Sequence, residues 1–160
     1  MTIRHFLLHF REAFIGKVAG ITEDNFVLVD TSLPAEAAAK DYEEKLKALN
    51  KSSYDALLLG MGPDGHTCSL FPGHPLLDET SCAVAPITDS PKPPPSRVTL
   101  TYPVLNNAKV AAFVCTGDGK KEVVKAILED GVDYPAGRVK PKEGELYWIL
   151  DKPAAALLSL

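Results

Sequence analysis

The sequence predicts an α/β fold, a doubly wound and mostly parallel sheet of the Rossmann-like kind. Three observations carry this expectation. Short apolar runs recur along the chain without polar alternation, as suits strands covered on both faces. A well-formed amphipathic stretch separates the first two of those runs, making a strand–helix–strand unit. Glycine-rich turns fall where two of the runs end, at residues 60–65 and 117–119, the end at which open α/β sheets bind ligands.

The first expected strand is residues 26–30, Phe-Val-Leu-Val-Asp. A helix over 35–49 follows, with Ser32 as its N-cap and Pro34 in its first turn. Its apolar positions Ala38, Tyr42, Leu46 and Leu49 fall at helical spacing, and Lys40, Glu43, Glu44 and Lys47 occupy the other face. Residues 54–59 read as the second strand. Residues 60–95 read as loop, since seven prolines follow Leu70 there. Strands are expected at 98–102, 110–116 and 146–150, a helix from about 120 to 129, and a short closing helix at 154–158. Nothing strand-like precedes Phe26, so residues 1–20 read as an irregular N-terminal segment. The chain reads as the later part of one α/β domain spanning 1–160, lacking that domain's first strands.

The bulk properties narrow the function. A chain of 160 residues suits one domain. Net charge is −4 with no basic block, which argues against nucleic acid and anionic membrane as partners. No apolar run approaches the roughly 20 residues of a membrane span, and the N-terminus lacks a signal-peptide pattern. Three cysteines, Cys68, Cys82 and Cys115, form no paired framework and imply reduced thiols and a cytoplasmic setting.

The densest chemistry lies in Gly62-Pro63-Asp64-Gly65-His66, just beyond the second strand. Glycines permit positive φ and close backbone approach. Two residues apart in a tight turn, Asp64 can orient His66 or stabilise its cation, and such a histidine can activate water. The plain alternative is a glycine-rich turn with a capping Asp and a surface His; the density of special residues weighs against it. Residues 60–65 also match G-x-G-x-x-G, but Pro72-Gly73 leaves no room for the helix that a dinucleotide fingerprint requires. His66 and Cys68 lie too close in sequence for a nucleophile–base pair. Asp64, His66, Cys68 and His74 match no standard zinc spacing, so a metal is not expected there.

Residues 60–76 resemble the signature of the 6-phosphogluconolactonases, members of a superfamily shared with glucosamine-6-phosphate deaminases. Residues 85–101, containing Ser-Pro-Lys-Pro-Pro-Pro-Ser-Arg, and Thr116-Gly117-Asp118-Gly119-Lys120 resemble two further family blocks, and the likeness runs from about Phe10 to the C-terminus. The resemblance implies hydrolysis of 6-phospho-D-glucono-1,5-lactone to 6-phosphogluconate, in the oxidative pentose phosphate pathway, without metal or cofactor. It places His66 on the catalytic histidine, Asp64 on its neighbouring acid, and Arg97 and Lys120 on cations facing the sugar phosphate. Gly62 and Gly65 fall on the substrate-binding turn. Lys120 also follows a strand-to-helix turn, where backbone N–H groups favour anions. The deaminases carry a glutamate shortly after the histidine. Ser69-Leu70-Phe71-Pro72 supplies none, which favours the lactonases.

Two family features have no counterpart here: an upstream Ser-Gly-Gly-Ser-type phosphate loop and an Asp-Glu-Arg motif. The expectations are therefore a lactone hydrolase of reduced activity, binding a phosphorylated sugar lactone, or a truncated non-catalytic relative that binds a sugar phosphate or a protein weakly.

Overall fold

The computed structural model describes residues 12–15, 17–49 and 53–159. Most of the expected irregular N-terminal segment therefore lies outside the described residues. Among the described residues the strands are β1 (Leu57–Leu59), β2 (Val84–Ile87), β3 (Arg97–Leu100), β4 (Val110–Cys115) and β5 (Glu145–Leu150). The α-helices that accompany them from residue 35 onward are α1 (Ala35–Ala48), α2 (Tyr102–Leu105) and α3 (Lys121–Leu128).

The apolar runs at 57–59, 110–115 and 145–150 assemble into one parallel sheet of order β1-β4-β5. Its register puts Leu57, Leu59, Ala111, Phe113 and Cys115 on one face, all buried. Val123 and Val124 of α3 and Ala136 and Val139 beyond it complete that core, and Phe113 stacks on Trp148 with ring centroids 4.4 Å apart. Helix α3 links β4 to β5, as a parallel pair requires. The opposite face carries Leu58, Val114, Tyr147 and Ile149, all exposed; Leu58 is 81% exposed.

A second layer lies beside this sheet. Strands β2 and β3 pair antiparallel, and α1 packs on both through Ala35, Ala38 and Ala39. Ala83 N–H donates to Glu43 Oε1 at 2.7 Å, tying α1 to the start of β2.

Several expectations are corrected. Residues 26–30 form no strand among the described residues: Phe26 is extended, and the Leu28 carbonyl accepts from Lys45 Nζ of α1 at 3.5 Å. Instead Val29, Asp30 and Thr31 border a hollow of about 170 Å³ with Ser96, Arg97 and Val98. The parallel crossover is thus β4–α3–β5 rather than one through α1. Ser32 is not the N-cap of α1, because its N–H and hydroxyl both donate to Asp30 Oδ1; Pro34 takes that place. Leu49 is exposed just beyond α1 rather than on its packed face. Strand β2 lies inside the stretch read as loop, accommodating Pro86 because its sheet has only two strands. The expected strand over 98–102 ends at Leu100, where Pro103 at the start of α2 turns the chain. Residues 154–158 form turns, not a helix, with Asp151 accepting from Ala154 N–H at 2.9 Å.

Phe113→Ala empties the centre of the packed face and is expected to destabilise the fold by about 3–5 kcal/mol. Leu58→Lys on the uncovered face is expected to change stability by about 0.5 kcal/mol or less. Urea unfolding followed by Trp148 emission measures both, and equal effects of the two changes contradict the assignment of the faces.

Candidate active site

The site loop begins where β1 ends. Gly62 N–H donates to the His66 carbonyl at 2.9 Å, and Gly65 N–H to the Gly62 carbonyl at 3.0 Å, closing a turn five residues long. Gly65 has φ +76°, and a Cβ there would strike the Tyr134 ring. A Cβ on Gly62 would strike the His66 ring and the Asp64 carboxylate. The two glycines thus let Tyr134, Asp64 and His66 close over the turn.

Beyond the turn the chain is fastened to both layers. Buried Thr67 donates its hydroxyl to the Gly60 carbonyl at 2.9 Å, and buried Ser69 N–H donates to Thr99 Oγ1 of β3 at 3.0 Å. Leu70 and Phe71 are fully buried, and the His66 ring stacks on Phe71 at 4.6 Å between centroids. Cys68 lies between them with its thiol pushed up to about 11 by burial, which suits an inert thiol rather than a nucleophile.

Asp64 and His66 are brought together directly, with Oδ1 2.5 Å from Nδ1. Since an ionised carboxylate only accepts, this contact puts the imidazole proton on Nδ1 and leaves Nε2 as the basic nitrogen. The second oxygen, Oδ2, pairs with Lys92 Nζ at 2.8 Å. Lys92 Nζ is also 3.4 Å from His66 Nδ1, but the shorter carboxylate contact decides its role. Partial burial raises the Asp64 carboxyl, yet hydrogen bonds from Lys92 and His66 outweigh it and bring it down to about 2.

Arg97 braces the proline loop. Its Nε donates to the Pro94 carbonyl at 3.0 Å, and one terminal nitrogen to the Lys92 and Pro93 carbonyls at 2.7 and 3.0 Å. Its guanidinium carbon lies 5.4 Å from the centroid of the same Phe71 ring on which His66 stacks. Lys120 reaches back across the sheet end, donating Nζ to the Met61 carbonyl at 2.5 Å. Part of the backbone of its turn is engaged within the chain. Gly117 N–H donates to the Asp151 carboxylate, Lys120 N–H to the Gly117 carbonyl and Lys121 N–H to the Asp118 carbonyl. All six expected residues therefore lie in the 60–71 loop or against it.

Lys92 is the residue that sequence reasoning missed. Its signal was present, a lone lysine in a proline run, but nothing in the spacing said which carboxylate it would meet. His74, weighed as a metal ligand, instead accepts from Leu76 N–H at Nδ1 and meets Asp89 Oδ1 at 3.0 Å through Nε2. Among the described residues no group of three or more His, Cys, Asp or Glu side chains gathers as a metal site.

Residues 6–148 match the sequence profile of the glucosamine-6-phosphate isomerases/6-phosphogluconolactonases. The chain belongs to this family. It is 54% identical to the rat 6-phosphogluconolactonase over 145 residues, covering 88% of this chain and 56% of the relative. It is 53% identical to the human 6-phosphogluconolactonase over 146 residues, covering 88% and 57%. The chain thus spans just over half the length of these relatives. Among solved structures it is similar to the 6-phosphogluconolactonase from Trypanosoma cruzi, with a TM-score of 0.78 and 30% identity over 94% of this chain and 65% of that one. The α/β fold with a parallel sheet is the fold of this family.

The low Asp64 pKa has a consequence for stability. Asp64 titrates near 3.9 when unfolded and about 2 when folded, so its stabilisation is fully present above about pH 5. It is lost as pH falls from there through about 2. Because the carboxylate is about one-third exposed, the contribution is about 1 kcal/mol after solvent screening. Asp64→Asn is expected to lower stability by that amount at pH 7 and to match the parent chain near pH 2. Urea titrations across this range provide the check, and a gap independent of pH contradicts the ion-pair account.

Proposed function

We propose that this chain hydrolyses 6-phospho-D-glucono-1,5-lactone to 6-phosphogluconate, a step of the oxidative pentose phosphate pathway, with His66 as general base. The observation that carries the reading is the 2.5 Å contact between Asp64 and His66 Nδ1, which fixes Nε2 as the nitrogen able to take a proton. Family membership and the likeness to named 6-phosphogluconolactonases support the substrate class.

In this mechanism His66 Nε2 removes a proton from water as the water oxygen attacks the lactone carbonyl carbon. Asp64 balances the imidazolium that forms. The tetrahedral intermediate collapses with cleavage of the bond to the ring oxygen, which receives the proton from His66 Nε2. The opened product is a carboxylic acid that ionises in water. A lactone is an activated ester, so a general base with modest charge stabilisation suffices. Lys120, in the turn after β4 with its Nζ reaching Met61 beyond β1, provides a cation for the substrate phosphate, and Arg97 acts from the proline loop beside Phe71. Gly62 and Gly65 shape the turn that presents His66 to the sugar, since a Cβ at either would strike the His66, Asp64 or Tyr134 side chain.

Deamination is disfavoured by the same loop. Ser69, Leu70 and Phe71 are buried, and they occupy the stretch where the resembling deaminases carry their glutamate. The three unpaired thiols suit a cytoplasmic location, and no described helix is long and apolar enough to cross a membrane.

Freshly prepared lactone, followed by proton release, is expected to disappear faster with the chain than without it. His66→Ala is expected to lower that catalysed rate by about 10²- to 10⁴-fold. No ammonia is expected from glucosamine 6-phosphate. A rate equal to spontaneous hydrolysis, or one untouched by His66→Ala, overturns the reading.

A further inference from the structure

We propose that Lys92 is a positioning residue of this site: its ammonium holds the Asp64 carboxylate in the orientation that keeps His66 Nδ1 engaged and Nε2 turned to the substrate. The kinetic part rests on the hydrolase reading above; the positioning itself does not.

The two Asp64 oxygens are divided between the two partners, Oδ1 at 2.5 Å from His66 Nδ1 and Oδ2 at 2.8 Å from Lys92 Nζ. A carboxylate held by one partner alone rotates about its last bond; one held at both oxygens has a fixed plane. Lys92 approaches Asp64 from 28 residues away in sequence, on the loop joining β2 to β3, so the contact depends on how that loop is built.

The loop is braced around Lys92. Ser90 Oγ donates to the Lys92 carbonyl at 2.8 Å, and Ser90 N–H donates to the Pro95 carbonyl at 3.1 Å. Prolines supply carbonyls but no N–H groups, so the run from Pro93 to Pro95 cannot satisfy its own acceptors. Arg97 provides those donors, bonding the carbonyls of Lys92, Pro93 and Pro94. At the other shoulder, Asp89 is held by His74 at 3.0 Å. These braces surround Lys92, whose side chain reaches the Asp64 carboxylate.

A cation that merely attracts the substrate phosphate is the competing role, and it predicts a different kinetic signature. Lys92→Met, Lys92→Gln and Lys92→Arg in the full chain separate them. In Lys92→Met and Lys92→Gln the Asp64 carboxyl carbon, followed by NMR, is expected to titrate about one pH unit or more above the parent. The His66 ring nitrogens are expected to show a mixed tautomer in the same two variants. With the lactone, kcat is expected to fall about 10- to 100-fold while KM moves little, and Lys92→Arg to restore most of kcat. An unmoved Asp64 titration overturns the proposal, as does a raised KM at constant kcat. If the parent chain does not turn over lactone, the hydrolase reading fails, and the Asp64 and His66 titrations alone decide the positioning. Trp148 emission identifies any variant that has not folded, and the remaining neutral variant then decides.

Discussion

The Asp64 carboxylate joins the turn in which it sits to the loop between β2 and β3. Through Oδ1 it fixes the imidazole of the turn in which it sits; through Oδ2 it draws in the loop between β2 and β3. Neither contact is possible unless the turn is tight, because any side chain at Gly62 would occupy the space of both Asp64 and His66. The turn in turn is placed by β1, whose buried Leu57 and Leu59 anchor it to the shared core of the parallel sheet. A catalytic group needs a fixed direction as well as a suitable basicity, and this chain of constraints supplies the direction.

The same geometry explains why two separate sheets build one site. The parallel sheet presents its carboxyl end, as open α/β sheets do, but that end alone offers only the turn and Lys120. The antiparallel pair supplies Arg97 and Lys92, and it meets the turn through buried polar bonds rather than a continuous ladder. Ser69 N–H to Thr99 Oγ1 is one such bond, and Thr101 Oγ1 to the Cys82 carbonyl at 2.6 Å secures the base of the pair. Buried hydrogen bonds of this kind add little net stability while made but are costly to leave unmade, so they fix position more than they add strength.

Much of this was legible in the sequence, and the boundary of legibility is physical. Residues 110–115 and 146–150 are uninterrupted apolar runs in a parallel sheet, so pattern and structure coincide there. Asp64 and His66 lie two apart, where local geometry alone brings them together. Residues 26–30 show the same apolar pattern yet form no strand, because a strand needs a partner and a pattern cannot name one. Strand β2 was hidden by Pro86, since a proline excludes a central strand but not one in a two-stranded ribbon. Lys92 was invisible for a related reason: its meaning lies wholly in a contact made across 28 residues of chain.

Arg97 shows how a residue expected for its charge also serves through its hydrogen-bond donors. A guanidinium carries a charge that attracts phosphate, but it also carries five donors in a plane. Beside a run of prolines the donors are what the backbone lacks, and Arg97 satisfies three carbonyls there while lying against Phe71. Phe71 also carries the His66 ring, so the arginine and the histidine share one apolar wall. A lysine at position 97 could keep the charge, but not a planar fork reaching three carbonyls at once. The arginine is therefore specified first by the loop it closes, and its charge comes to the site as a consequence of that architecture.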